Sequence, residues 1–169
     1  MRNIDSTWFE TKVKYQKTQA DGSMKHVTEA FVVDALTFTE AESAIIDEMS
    51  VYTSGDLTVE AISKASYSTV YFSDMEEDDK WFKVKVQIIM MDEKTEKEKR
   101  TNRYVLVQAK NAARSLRYVV EVMGTGMEDY DIAGVSGTQF MDVFEHHAPG
   151  EKKAEEKNDV PEYEQAPAE

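Results

Sequence analysis

Two stretches decide how this chain reads: WFETKVKY at Trp8–Tyr15 and WFKVKVQI at Trp81–Ile88, 73 residues apart. In the first, Phe9, Thr11, Val13 and Tyr15 alternate with Trp8, Glu10, Lys12 and Lys14. In the second, Phe82, Val84, Val86 and Ile88 alternate with Trp81, Lys83, Lys85 and Gln87. A two-residue period is that of a half-buried β-strand. The phenylalanine set is predicted to face a core. The tryptophan and lysine set is predicted to face outward.

The likeness extends beyond the openings. FVVDALTFTEAESAIIDEM (Phe31–Met49) aligns with VLVQAKNAARSLRYVVEVM (Val105–Met123) at an offset of 74, and TVYF (Thr69–Phe72) with MDVF (Met141–Phe144) at 72. Each half reads the same way. A first strand meets a turn, marked in the first half by Ala20–Ser23, whose Asp-Gly pair supplies positive φ. A return strand follows at Val27–Ala35. Thr37 with Glu40 forms a capping box for a helix, and Asn111 takes the N-cap place in the second half. Phe38, Ala41, Ile45 and Met49 make one apolar stripe; Ala112, Leu116, Val119 and Met123 make the other. A long third strand closes each half, at about Leu57–Phe72 and Ile132–Phe144. The expectation is an α+β fold built by tandem duplication of a ββαβ unit, repeat one at 8–72 and repeat two at 81–144. Both helices are expected on one face of an antiparallel sheet with pseudo-twofold symmetry, within a compact domain at 1–147.

Beyond that domain, residues 148–169 carry all three prolines, a single tyrosine and many acids. Such a segment buries too little to offset ordering entropy and is expected to be a disordered acidic tail. The net charge of −13 argues against a general polyanion-binding surface while leaving local patches open. No cysteine is present, which removes disulfides and thiolate chemistry. The N-terminus lacks an apolar signal-like run, and no stretch approaches the roughly 18 apolar residues of a membrane span. A soluble cytoplasmic protein without membrane contact is expected.

Catalytic candidates are poor. His26 lies in a hairpin, and His146 and His147 lie near the tail junction, none within a nucleophile motif. DMEEDD (Asp74–Asp79) lacks the glycine and closing glutamate of a calcium loop and reads as a solvated turn between the halves. Gly124–Gly126 follows a helix where a phosphate loop opens one. No enzyme, metal or cofactor is expected. The outward set is more suggestive: each half presents a tryptophan followed by two lysines on the same strand face, and Arg103 with Tyr104 follows the second hairpin tip. Single-stranded nucleic acid is bound by aromatic stacking platforms beside cations. The candidate residues are therefore Trp8, Lys12, Lys14, Trp81, Lys83, Lys85, Arg103 and Tyr104. Lysines on strand faces also serve plain solvation and edge protection. The alternative is a protein–protein adaptor or virion component using a sheet face, a sheet edge or the tail.

WFETKVKY, VTEAFVVDALTFTEAE and the closing MDVF together resemble an uncharacterised domain family common in gut bacteria of the Bacteroides group and in their phages. The resemblance covers about Trp8–Phe144 and implies a lineage with no established activity or site residues. The body with its acidic tail is also similar in plan to single-stranded DNA-binding proteins of bacteria and phages. The tail departs from that plan by ending in APAE without a terminal phenylalanine.

Overall fold

Two long hairpins organise the structure, a computed structural model that describes residues 1–53 and 55–145. The expected acidic tail at 148–169, and His146 and His147, lie outside the described residues. In the first hairpin, β2 (Trp8–Thr18) pairs antiparallel with β3 (Met24–Asp34). Gly22 adopts φ +83° at its tip, a backbone state that glycine enters without steric cost. The second hairpin pairs β6 (Lys80–Met91) with β7 (Glu98–Ala109). Each is followed by a capped helix. Thr37 Oγ1 accepts the Glu40 N–H at 3.1 Å to open α1 (Phe38–Ser50), and Asn111 Oδ1 accepts the Arg114 N–H at 2.8 Å to open α2 (Ala112–Met123). Glu40 completes its box one residue early, accepting from the N–H of Leu36.

The closing segments differ from expectation, because each breaks into two strands. Chain order becomes β1 (Arg2–Asp5), β2, β3, α1, β4 (Leu57–Lys64), β5 (Thr69–Phe72), β6, β7, α2, β8 (Asp129–Gly137), β9 (Phe140–Phe144). The expected single antiparallel sheet is replaced by two mixed sheets, ordered β4-β2-β3-β9 and β1-β5-β7-β6-β8. The break is the cause: β4 stays beside β2, while β5 crosses to lie parallel to β7. Likewise β8 stays beside β6, and β9 crosses to lie parallel to β3. A register shift falls between Lys12 and Val13 in one sheet, and between Lys85 and Val86 in the other.

Three apolar clusters result. Phe9, Val13, Phe31 and Val33 meet Ala41, Ile45 and Met49 of α1. Val84, Val86, Val105 and Val107 meet Tyr118 and Val119 of α2. The third joins the other faces of the two sheets through Trp8, Val32 and Val143 on one side and Val70, Trp81 and Leu106 on the other, with Tyr67. The helices therefore lie on the outer faces of two sheets stacked back to back, not on one face of one sheet.

Trp8 and Trp81, expected outside, are 1% and 3% exposed. Both rings approach Phe72, Trp8 at 6.5 Å and Trp81 edge-on at 5.5 Å between centroids. Their backbones also hold the crossings. The Trp8 carbonyl accepts the Ala65 N–H at 2.8 Å, and its indole N–H donates to Ser68 O at 2.9 Å. The Trp81 carbonyl accepts both the N–H and the hydroxyl of Thr138. Alternation correctly separated the two faces of each strand; it could not show that a second sheet covers the other face.

The stripe on α2 is also rotated from the expected Ala112, Leu116, Val119, Met123 set. Ser115, Tyr118 and Val119 are buried and Ala112 is exposed. Tyr118 explains the rotation, since its hydroxyl donates to Asp78 Oδ2 at 2.5 Å. Asp78 belongs to the acidic run that reads as a solvated turn, yet its residue is 1% exposed. It also accepts from the Lys110 N–H at 2.8 Å, Arg114 Nη1 at 2.9 Å and the Ser73 hydroxyl. The linker between the halves is thus fastened to the start of α2. Burial opposes ionisation of Asp78, but the bonds from Ser73, Tyr118, Arg114 and Lys110 outweigh it and hold the carboxyl at about 2.

Two outcomes are expected of these contacts. Trp8→Ala or Trp81→Ala should each cost about 3–5 kcal/mol in urea unfolding, because a large side chain leaves the inter-sheet core. A loss under about 1 kcal/mol would contradict its role there. Asp78→Asn should cost about 2 kcal/mol at neutral pH. The folded pKa lies below the unfolded one, so this contribution is present above about pH 4 and fades as pH falls toward 2. Unfolding curves of wild type and variant should therefore converge between those limits.

Candidate interface: sheet faces and open edges

Inter-sheet packing dictates what becomes of the outward set. Cover fades along each strand away from its tryptophan. On β2, Trp8 is buried, Glu10 half-buried, and Lys12 and Lys14 exposed; on β6, Trp81 is buried and Lys83, Lys85 and Gln87 are half-buried. The two lysine pairs also lie in different sheets. Lys12, Lys14 and Lys85 make no ion pair among the described residues. Lys83 Nζ sits 5.8 Å from the Tyr67 ring centroid and 5.3 Å from that of Tyr104. The Tyr67 hydroxyl is buried with no hydrogen-bond partner among the described residues. Burial first, then the Glu10 carboxylate nearby, raises the Tyr67 phenol above its ordinary value and keeps it protonated.

Arg103 and Tyr104 part company. Residues directly opposite in an antiparallel pair share a face. Tyr104 is opposite Lys85, whereas Arg103 is opposite Val86 and so projects on the α2 side. There it bonds Glu128 at 3.0 Å. Arg100 is engaged by Glu98 and Asp131, both at 2.7 Å. Of the eight candidates, Lys83 and Tyr104 are brought into contact. Trp8 and Trp81 are withdrawn into the core, and Arg103 is turned away. No group of three or more His, Asp or Glu among the described residues is placed to hold a metal ion.

A different feature comes from the crossings. β9 pairs with β3 only over Ala30–Val33, and β5 with β7 only over Val105–Val107. Among the described residues, Met24–Glu29 of β3 therefore has β2 on one side and no strand on the other, and Glu98–Tyr104 of β7 is open in the same way. Backbone bonds at the two ends of the hairpin fix which groups point outward. Gln19 N–H bonds Ser23 O, and Ala35 N–H bonds Thr7 O. Alternation from those two pairs turns the backbone groups of Lys25, Val27 and Glu29 toward β2 and those of Met24, His26 and Thr28 toward the open side. Asp92 N–H bonds Lys97 O in the second tip, so Asn102 points outward there by the same count.

An open groove of about 450 Å³ lies beside the β3 edge, past the end of α1, lined by Tyr15, Phe31, Met49, Tyr52, Met141 and Phe144 among others. Glu29 stands at its rim, accepting from the Tyr15 hydroxyl at 2.6 Å and from Lys17 at 2.9 Å. Burial and the Glu29 charge raise the Tyr15 phenol, so it remains a donor. Tyr52 and Met24 are largely exposed close by. The open edges escape a sequence reading because they follow from non-local pairing. The one sequence signal is a mismatch of lengths: TVYF and MDVF are far shorter than the hairpin arms they close.

Comparison with known proteins gives a family without a mechanism. Neither the curated proteins nor the solved structures hold a match to the chain. The chain belongs to the DUF4494 family, a domain of unknown function, whose pattern matches residues 7–146.

Proposed function

We propose that this chain is a non-catalytic protein-binding module that takes extended polypeptide onto its open sheet edges. The observation that carries the reading is the row of outward backbone groups at Met24, His26 and Thr28, which no strand meets among the described residues, bordered by a groove with an apolar floor. Strand addition at such an edge gains affinity from main-chain bonds and selectivity from adjoining side-chain pockets. This is the adaptor alternative reached from the sequence. It gains ground because burial of Trp8 and Trp81 removes the stacking platforms that single-stranded nucleic acid would need.

The proposal includes an internal duplication. In support, strand–strand–helix–strand–strand order occurs twice, and a register shift follows the lysine four residues after the tryptophan in both WF strands. Two similar edges would then suit a partner with repeated segments, as in an adaptor or virion component. The Bacteroides-group and phage setting of the resembling sequences belongs to the same proposal, as does a cytoplasmic location.

A second reading retains nucleic acid through phosphate contacts alone. It is supported by Lys12 and Lys14, which stand exposed and, among the described residues, free of ion pairs. Such binding would be weak and steeply salt-dependent.

Displayed random peptides selected on the full chain test the main reading. Selected peptides should bind at least about tenfold more weakly to Thr28→Pro or Asn102→Pro, since proline deletes an outward donor while sparing the hairpin ladder. Equal binding to both variants would defeat edge addition. A mobility shift with oligothymidine at low salt, lost in Lys12→Glu/Lys14→Glu, would favour the nucleic-acid reading instead.

A further inference from the structure

The β3 edge carries charges that suit one particular strand: its own copy. On the groove side, Lys25, Val27 and Glu29 alternate, and Lys25 lies directly opposite Lys17 of β2. Like charges facing across a strand pair repel. Among the described residues only Glu29 offsets them, through Lys17. Lys25 makes no ion pair among the described residues, so the edge presents a free cation four residues before a carboxylate.

We propose that the protein forms a twofold dimer by antiparallel pairing of β3 with β3 of a second copy, centred on Val27. This rests on the edge-binding reading and names its partner. In that register Val27 meets Val27, and Lys25 of each copy stands opposite Glu29 of the other. His26 stands opposite Thr28, and these are the residues whose backbone groups point outward, so each N–H finds a carbonyl. The contact is isologous and closes on itself, so it yields a dimer, not a fibre. Pairing ends at Ala30, where β9 begins. Glu29 can take the added cation, because its two oxygens accept only from Tyr15 and Lys17 among the described residues. Val27 side chains meeting on the axis extend the apolar floor beside Tyr15 and Phe31.

Neighbouring registers and the second edge are poorer. Centring on His26 sets imidazole against imidazole and leaves Lys25 opposite valine. On β7, the residue aligned with Val27 is Thr101, and centring there sets Lys99 opposite Arg103. That like-charge pair guards the β7 edge against its own copy, the usual use of charge on an open strand.

Sedimentation of the full-length chain from about 1 to 200 µM tests the proposal, because an interface this small supports only a weak, concentration-dependent dimer. A reversible rise from one chain mass of 19.3 kDa toward twice that mass is expected. Thr28→Pro and Lys25→Glu should each weaken association at least about tenfold, the second less so at high salt. Asn102→Pro on the β7 edge should leave association unchanged. Circular dichroism on each variant separates loss of pairing from loss of folding, and Lys25→Glu, at an exposed site, keeps the test open if proline unfolds the hairpin. A monomer throughout the range overturns the proposal, as does a dimer indifferent to both β3 variants. A monomer in which Thr28→Pro speeds proteolysis within residues 146–169 also overturns it, assigning the edge to the chain's own C-terminal segment. If the chain stays monomeric while selected peptides still need Thr28, the dimer fails and edge addition stands. If peptides ignore the edge variants as well, both fail.

Discussion

The structure depends on two indole rings closing on one phenyl ring between two sheets. Trp8 comes from the first residue of β2, Trp81 from near the start of β6, and Phe72 from the end of β5. Neither sheet could keep these residues dry alone, because each has only one helix, and that helix occupies the opposite face. Burial of large aromatic surface supplies much of the free energy that holds layers together. The same residues carry polar duties: the Trp8 indole and carbonyl, and the Trp81 carbonyl, bond the segments where strands leave one sheet for the other. Apolar packing and strand crossing are therefore fixed by the same pair of side chains.

Crossing has a geometric consequence. A strand that leaves one sheet and joins another does so with what remains of its length. β5 spans four residues and β9 five, while their hosts β7 and β3 span twelve and eleven. The far parts of both hosts keep their hairpin partner on one side and have no strand on the other among the described residues. Open strand edges are ordinarily blunted by charge, by proline or by bulges. The β7 edge is heavily charged, with Glu98, Lys99, Arg100 and Arg103. The β3 edge is guarded more lightly, and it borders the groove. The proposed binding edge is thus a by-product of how the two sheets are tied together.

Much of the local structure was legible in the sequence. The period-two strings gave β2 and β6, the Thr37 and Asn111 caps gave both helix starts, and Asp-Gly gave the first turn. These signals are local, carried by residues within one turn or one strand of each other. What escaped was non-local. A tryptophan on the lysine side of a strand reads as exposed only if that side faces water throughout; here the face is covered at one end and bare at the other. The cut between β4 and β5 escaped because Ala65–Ser68 contains neither glycine nor proline to mark a break. Asp78 escaped because its donors come from Ser73, Lys110, Arg114 and Tyr118, mostly more than thirty positions away. The candidate site fared worst: only the Lys83–Tyr104 contact kept the expected association of cation and ring.

The graded cover of the WF strands also decides how the cations of a lysine-rich face are accommodated in an acidic protein. Near the tryptophans, Lys83 is drawn over Tyr67 and Tyr104, where ring faces attract its charge. Farther out on the same face, Arg100 is met by the carboxylates of Glu98 and of Asp131 from β8. Exposed pairs of this kind add little stability, but they cancel the local field that would draw in a phosphate backbone. Among the described residues, Lys12, Lys14 and Lys85 on the strand faces, and Lys25 and Lys99 on the open edges, stand among the cations that keep no ion pair. Lys25 and Lys99 both stand on edges with outward backbone groups unmet among the described residues, but Lys25 alone of the two has a carboxylate, Glu29, four residues on along a groove-bordered edge. Charge and hydrogen-bond demand coincide there, and that coincidence favours a strand bearing a carboxylate over a nucleic acid as the group that satisfies both.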